Sequence, residues 1–236
     1  MSDRNAVTNP VTNAISNAGQ TRPVLISNEI STKRSLTGSL SSAPAAHDAE
    51  AELQAEYARE RLERFLSRRP VKFAAAGELD PRLMQWAQEL FAGRAGNLVI
   101  AGGVGTGKSW SAWRIGEELL AHGWRGRYEI VSAYQLKMLA TPPVDAESLD
   151  RLAKTDLLAL DDIGAVRVSD WDADHLYALI DERWASERPT IVITNITSPP
   201  PGQTLLQLLL GERVASRLAD GVTTVVLSGQ DRRRQP

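Results

Sequence analysis

Gly102-Gly103-Val104-Gly105-Thr106-Gly107-Lys108-Ser109 decides how the rest of the chain is read. The run fits G-x-x-x-x-G-K-[ST], the phosphate-loop or Walker A pattern. Its flanks agree: Asn97–Ala101 reads as a short buried strand and Trp110–His122 as a helix. Glycines let the backbone curl so that successive N–H groups face phosphate oxygens, and the positive end of the next helix adds to the attraction. Gly102, Gly103, Val104, Gly105, Thr106, Gly107, Lys108 and Ser109 are therefore the expected nucleotide cradle. In it Lys108 would reach the β- and γ-phosphates and the Ser109 hydroxyl would bind Mg²⁺.

Length and composition bound what surrounds this loop. The 236 residues suit one domain of ordinary size plus an extension. With 27 basic against 29 acidic residues, global charge selects neither a nucleic-acid nor a membrane partner. There is no cysteine, which excludes disulfides and thiolate metal sites. No apolar run approaches a membrane span, and the polar N-terminus lacks the apolar core of a signal peptide. These features fit a cytoplasmic protein.

Residues 1–47 are rich in Asn, Ser, Thr, Ala and Pro and are expected to form a disordered tail. Residues 48–69 change to Ala, Glu, Arg and Leu, and read as a helix that Asp48 can cap and Pro70 stops. That helix either docks a partner or packs on its own domain. Residues 70–236 carry the nucleotide domain. Pro81–Phe91 reads as a helix opened by Asp80. Beyond the phosphate loop, strands are expected at Arg127–Ser132, Asp156–Leu160, Thr190–Thr194 and Thr223–Leu227. The helices between them are Ala133–Ala140, Glu147–Lys154, Asp172–Glu187, Thr204–Leu210 and Glu212–Ala219. On Asp172–Glu187, Leu176, Ile180 and Trp184 share one face. Five short apolar strands alternating with helices predict an α/β fold, a five-stranded parallel sheet covered by helices on both faces.

Three further motifs carry chemistry. Leu157-Leu158-Ala159-Leu160-Asp161-Asp162 ends an apolar strand in two acids, the Walker B arrangement. Asp161 is expected to hold Mg²⁺ and Asp162 to orient and activate an attacking water. Thr190–Asn195 ends a buried strand in an amide. With an extra strand between the two Walker strands, Asn195 takes the sensor 1 position, where it can hold the water or touch the γ-phosphate. Finally, Arg213 and Arg217 lie four apart on one helix face. On spacing alone an ordinary surface pair explains them better than arginine fingers reaching a neighbour's γ-phosphate.

Together, Asp156–Gly164, Glu187–Asn195, Gly211–Leu218 and Gly229–Arg233 resemble the DnaC/DnaI-type helicase loaders, AAA+ ATPases with the transposition helper IstB as a cousin. The likeness implies a P-loop NTPase of AAA+ type with no C-terminal lid domain, hydrolysing ATP with Mg²⁺. It implies Walker B roles for Asp161 and Asp162, sensor 1 at Asn195, and a finger in the Arg213–Arg217 segment, Arg217 first. Its implied partners are a replicative helicase, single-stranded DNA and further copies of the chain in a homo-oligomer. Two other readings stand beside it: an IstB-like transposition helper, and a nucleotide-gated DNA-binding adaptor with little turnover. The lack of cysteine departs from loaders that carry a zinc-built N-terminal domain. Trp110 and Trp113 stand where smaller residues are usual, and Trp113 is expected to pack on the sheet.

Overall fold

The computed structural model describes residues 43–164, 170–229 and 231. The expected tail up to residue 42 and the basic stretch Arg232-Arg233-Arg234 lie outside the described residues. The elements run α1 (Ala43–Ser67), a 3₁₀ turn (Val71–Phe73), α2 (Pro81–Phe91), β1 (Leu98–Gly102), α3 (Lys108–Ala121), β2 (Tyr128–Ser132), α4 (Ala133–Ala140) and α5 (Ala146–Ala153). They continue with β3 (Leu157–Ile163), α6 (Asp170–Ala185), β4 (Thr190–Thr194), α7 (Leu205–Leu218) and β5 (Thr223–Leu227). Among the described residues no helix is long and apolar enough to cross a membrane.

All strand pairs are parallel and the order is β2-β3-β4-β1-β5. Strand side chains alternate between two cores. Leu98, Ile100, Leu157, Ala159, Ile191 and Ile193 point to α1, α2 and α3. Val99, Leu158, Leu160 and Val192 point to α4, α5, α6 and α7. A sheet buried on both faces needs apolar residues at every position, which is why these strands read as continuous runs. Asn97 ties the amino ends together: its amide donates to Leu218 O at 3.0 Å and its oxygen accepts from Thr190 N at 2.9 Å.

Several boundaries differ from the sequence reading. α1 begins at Ala43, ahead of Asp48. Its Leu53 and Tyr57 are exposed, whereas Phe65 is buried, so the helix joins the core only at its last turns. Phe65 stacks on Tyr128 at 5.6 Å and meets Trp113 at 4.9 Å; Trp113 thus packs under α1 at the edge of the core. α7 is broken at Gly211 (φ 78°, ψ 167°), which accounts for the two helices expected there. Trp184, read on one face with Leu176 and Ile180, is 42 % exposed, whereas those two are buried. The buried place is taken by Arg183, which donates to the carbonyls of Leu152, Ala153, Thr155 and Pro189 and to Thr190 Oγ1. Burial, with Arg188 nearby, pushes the Arg183 guanidinium down to about 9.

The seat of α1 yields a test. A Cβ at Gly116 of α3 would overlap Cζ at the edge of the Phe65 ring and lie 2.5 Å from Tyr128 Cδ1. Gly116→Ala should therefore overpack this contact and lower the free energy of unfolding by about 1–3 kcal/mol, read from a urea titration. An unchanged midpoint would show that α1 can shift at no cost.

Candidate nucleotide site

The phosphate loop links the carboxyl end of β1 to the first turn of α3. Gly107 caps α3 in a left-handed conformation (φ 95°), and Gly105 is left-handed as well (φ 78°). Both are conformations glycine adopts without steric penalty. A Cβ on Gly105 would also overlap the Asp231 carboxylate, and one on Gly102 would lie 2.5 Å from Leu227 O. The loop is braced internally: Thr106 Oγ1 donates to Gly103 O at 2.9 Å, and Lys108 Nζ to the same oxygen at 2.7 Å. Lys108 is 6 % exposed, with its ammonium folded over the loop. The first-turn N–H groups of a 14-residue helix complete an anion-attracting concavity.

Two of the sequence-derived acids meet this loop in different ways. Ser109 Oγ donates to Asp161 Oδ1 at 3.0 Å, and the Asp162 backbone N–H donates to the same oxygen at 2.9 Å. Burial raises the Asp161 carboxyl above its ordinary value, Asp162's charge adds to the rise, and the Ser109 hydrogen bond opposes it. Asp162 is delivered by an irregularity. β3 pairs Leu160 with Val192 and then Ile163 with Thr194, so Asp161 and Asp162 together oppose one residue of β4. Asp162 takes the left-handed conformation (φ 59°), which Asp tolerates better than most residues. Such a bulge re-aims a side chain, and here the Asp162 carboxylate reaches Asn195, whose Nδ2 donates to its Oδ1 at 3.3 Å.

Arg213 and Arg217 do not join this group. Both lie on the half of α7 that follows Gly211. Arg213 stacks on Tyr177 at 4.1 Å, and Arg217 stacks on Trp184 at 4.1 Å while its Nε pairs with Asp181 Oδ1 at 2.8 Å. Asp181's hydrogen bond, with Tyr177 behind it, holds Arg217 above its ordinary pKa. Arg217 lines a cleft with Asn97, Arg183 and Thr190, at the amino ends of β1 and β4. The phosphate loop leaves the carboxyl end of β1, so the two lie at opposite ends of the sheet.

Sequence reading missed two features. Trp110 Nε1 donates to Ala75 O at 2.9 Å, pinning the segment before α2 to the first turn of α3. Gly77 accommodates that indole, since a Cβ there would stand 3.0 Å from Trp110 Cζ2. Asp231 lies against Gly105, a contact between segments far apart in the chain that no local pattern announces.

The fold and the loop define a P-loop NTPase of the AAA+ type. The chain belongs to the IstB-like ATP binding protein family, whose family model matches residues 28–235. It is similar to the replicative helicase loader DnaC of Escherichia coli K12, 30 % identical over 151 residues, 62 % of this chain and 59 % of that protein. It is also 30 % identical over 156 residues to a protein of insertion sequence IS1162 from Pseudomonas fluorescens, described as ATP-binding, with 58 % of this chain and 65 % of that one covered. The chain thus spans about three fifths of the length of these curated relatives. Among solved structures it resembles DnaI, with a TM-score of 0.54 at 19 % identity, over 70 % of this chain and 94 % of the other.

The raised carboxyl of Asp161 has a stability consequence. Asp161 keeps its proton to higher pH folded than unfolded, so the folded chain binds more protons through that window. Stability therefore falls as pH rises from the ordinary carboxylate range through the folded value. Asp161→Asn should melt at a higher temperature than the parent at pH 7 without divalent cations, and the difference should shrink as pH falls through that range. Equal melting temperatures at pH 7 would contradict the burial cost.

Proposed function

We propose that this chain binds and hydrolyses ATP with Mg²⁺ and uses the cycle to place a replicative helicase on single-stranded DNA. The single observation that supports hydrolysis best is the paired contact at the sheet's carboxyl edge, Ser109 to Asp161 and Asn195 to Asp162. A hydroxyl and a buried carboxylate already in contact are a donor set for a hard cation, and the charge that burial penalises on Asp161 is one a cation would stabilise. Ser109 and Asp161 would hold the ion. When bound, Mg²⁺ offsets charge on the β- and γ-phosphates.

The chain's own groups divide the remaining work. Gly102–Ser109 supply backbone N–H groups to the phosphates, and Lys108 exchanges its carbonyl partner for phosphate oxygen. Asp162, exposed and held by Asn195, orients the attacking water and takes its proton. Arg213 and Arg217, remote from this loop, would serve the γ-phosphate of a second copy, which makes a homo-oligomer the working state. In this reading residues 70–236 form the ATPase unit and α1, Ala43–Ser67, its bracing helix.

The helicase and DNA parts of the proposal rest on the likeness to the loader DnaC. A second reading, an ATP-dependent helper of a transposase, is favoured by the IstB-like family model and the insertion-sequence relative. A pull-down with the full chain separates them. Retention of a hexameric helicase with ATP and not without it supports loading; retention of a transposase and no helicase would overturn it. A nucleotide-gated adaptor predicts turnover that neither single-stranded DNA nor Asp162→Asn alters.

Two substitutions test the site. Lys108→Ala should weaken ATP binding by roughly 10- to 100-fold, as expected for a lost charge-assisted contact, and a titration with unchanged affinity would refute the cradle. Asp162→Asn should bind ATP as the parent does while single-turnover hydrolysis falls by about 10²- to 10⁴-fold.

A further inference from the structure

We propose that Tyr177, Asp181 and Trp184 of α6 form a rack that positions Arg213 and Arg217 for the phosphate loop of a neighbouring copy. This rests on the reading that those arginines act on a second chain. The three residues recur at spacings of four and three, so one face of α6 presents them in a row. α7 lays its arginines along that row. Arg213 sits over the Tyr177 ring at 4.1 Å and Arg217 over the Trp184 ring at 4.1 Å. Asp181 fixes the orientation of Arg217 in its plane through the 2.8 Å bond to Nε, and Tyr177 Oη donates to Asp181 Oδ1 at 3.3 Å. A guanidinium held by a ring on its face and an acid on its edge has lost most of its rotational freedom.

The surroundings distinguish a rack from ordinary packing. Arg183, one residue from Trp184, is buried, and carbonyl acceptors take up its donors; it serves the fold. Arg217 keeps 32 % of its side-chain surface and Arg213 is exposed. Trp184 gives up burial beside Leu176 and Ile180, and its face carries a cation instead. The break at Gly211 uncouples the arginine-bearing half of α7 from Leu205–Leu210, so α6 sets its pose.

Mixing full-length variants tests this. A site donor carries Arg213→Ala and Arg217→Ala with an intact phosphate loop; an arginine donor carries Lys108→Ala. Neither should hydrolyse ATP alone, and the mixture should. Tyr177→Leu or Trp184→Leu in the arginine donor should cut the restored rate about tenfold, and Trp184→Phe, which keeps a ring, should recover most of it. The same substitutions in the site donor, whose arginines are already gone, should leave the restored rate where it was. A mixture with no turnover would sink the second-copy reading itself. A mixture that works equally well with rack variants as donors would overturn the rack alone. A loss that appears whichever chain carries the change would make these residues structural supports and would overturn it too.

Discussion

Strand β4 is hydrogen-bonded to β1 on one side and to β3 on the other, and the candidate site follows from that pairing. Parallel register brings the carboxyl ends of all three strands to one edge. β1 delivers the phosphate loop there, β3 the two acids and β4 Asn195. With β4 inserted, the loop-bearing and acid-bearing strands stand two strand spacings apart, about 10 Å. That gap is one that Ser109 and Asp161 side chains can close from opposite sides, and one that Asn195 can enter from the middle. The sheet acts as a ruler, and helices on both faces keep it flat enough and dry enough to serve as one.

Much of this was legible in sequence because the signals are local. A glycine-rich loop between an apolar strand and a helix, an apolar strand ending in two acids, and a strand ending in Asn each fit within ten residues. What stayed hidden was long-range or conformational. The bulge that turns Asp162 toward Asn195 leaves no pattern, since the two acids look like neighbours on alternating faces. Arg183 carries no local signal that sets it apart from the other charges of α6. Only the carbonyls of Leu152, Ala153, Thr155 and Pro189, brought in from two other segments, let it replace Trp184 inside. The start of α1 was read late because the composition turns to strong helix formers only near Asp48, whereas the helix already begins at Ala43.

The site also works against the fold that carries it. Asp161 is kept partly buried beside a second acid, and Asp162 is held in a backbone region that costs most residues energy. Neither arrangement helps the apo chain. Each is over-determined by its surroundings: Ser109 and a backbone N–H on Asp161, the strand irregularity and Asn195 on Asp162. The tightly packed aromatic seat of α1 and the saturated Arg183 lie away from this edge, where rigidity has no functional cost.

Arg217 at the amino ends of the strands and the phosphate loop at the carboxyl end give the molecule two unlike poles. On the proposed reading, one copy's arginine pole meets another copy's loop. A twofold pair satisfies both loops at once by lying antiparallel, whereas a head-to-tail row repeats a single contact and is directional. Unless such a row closes on itself, it ends in one loop that no arginine reaches.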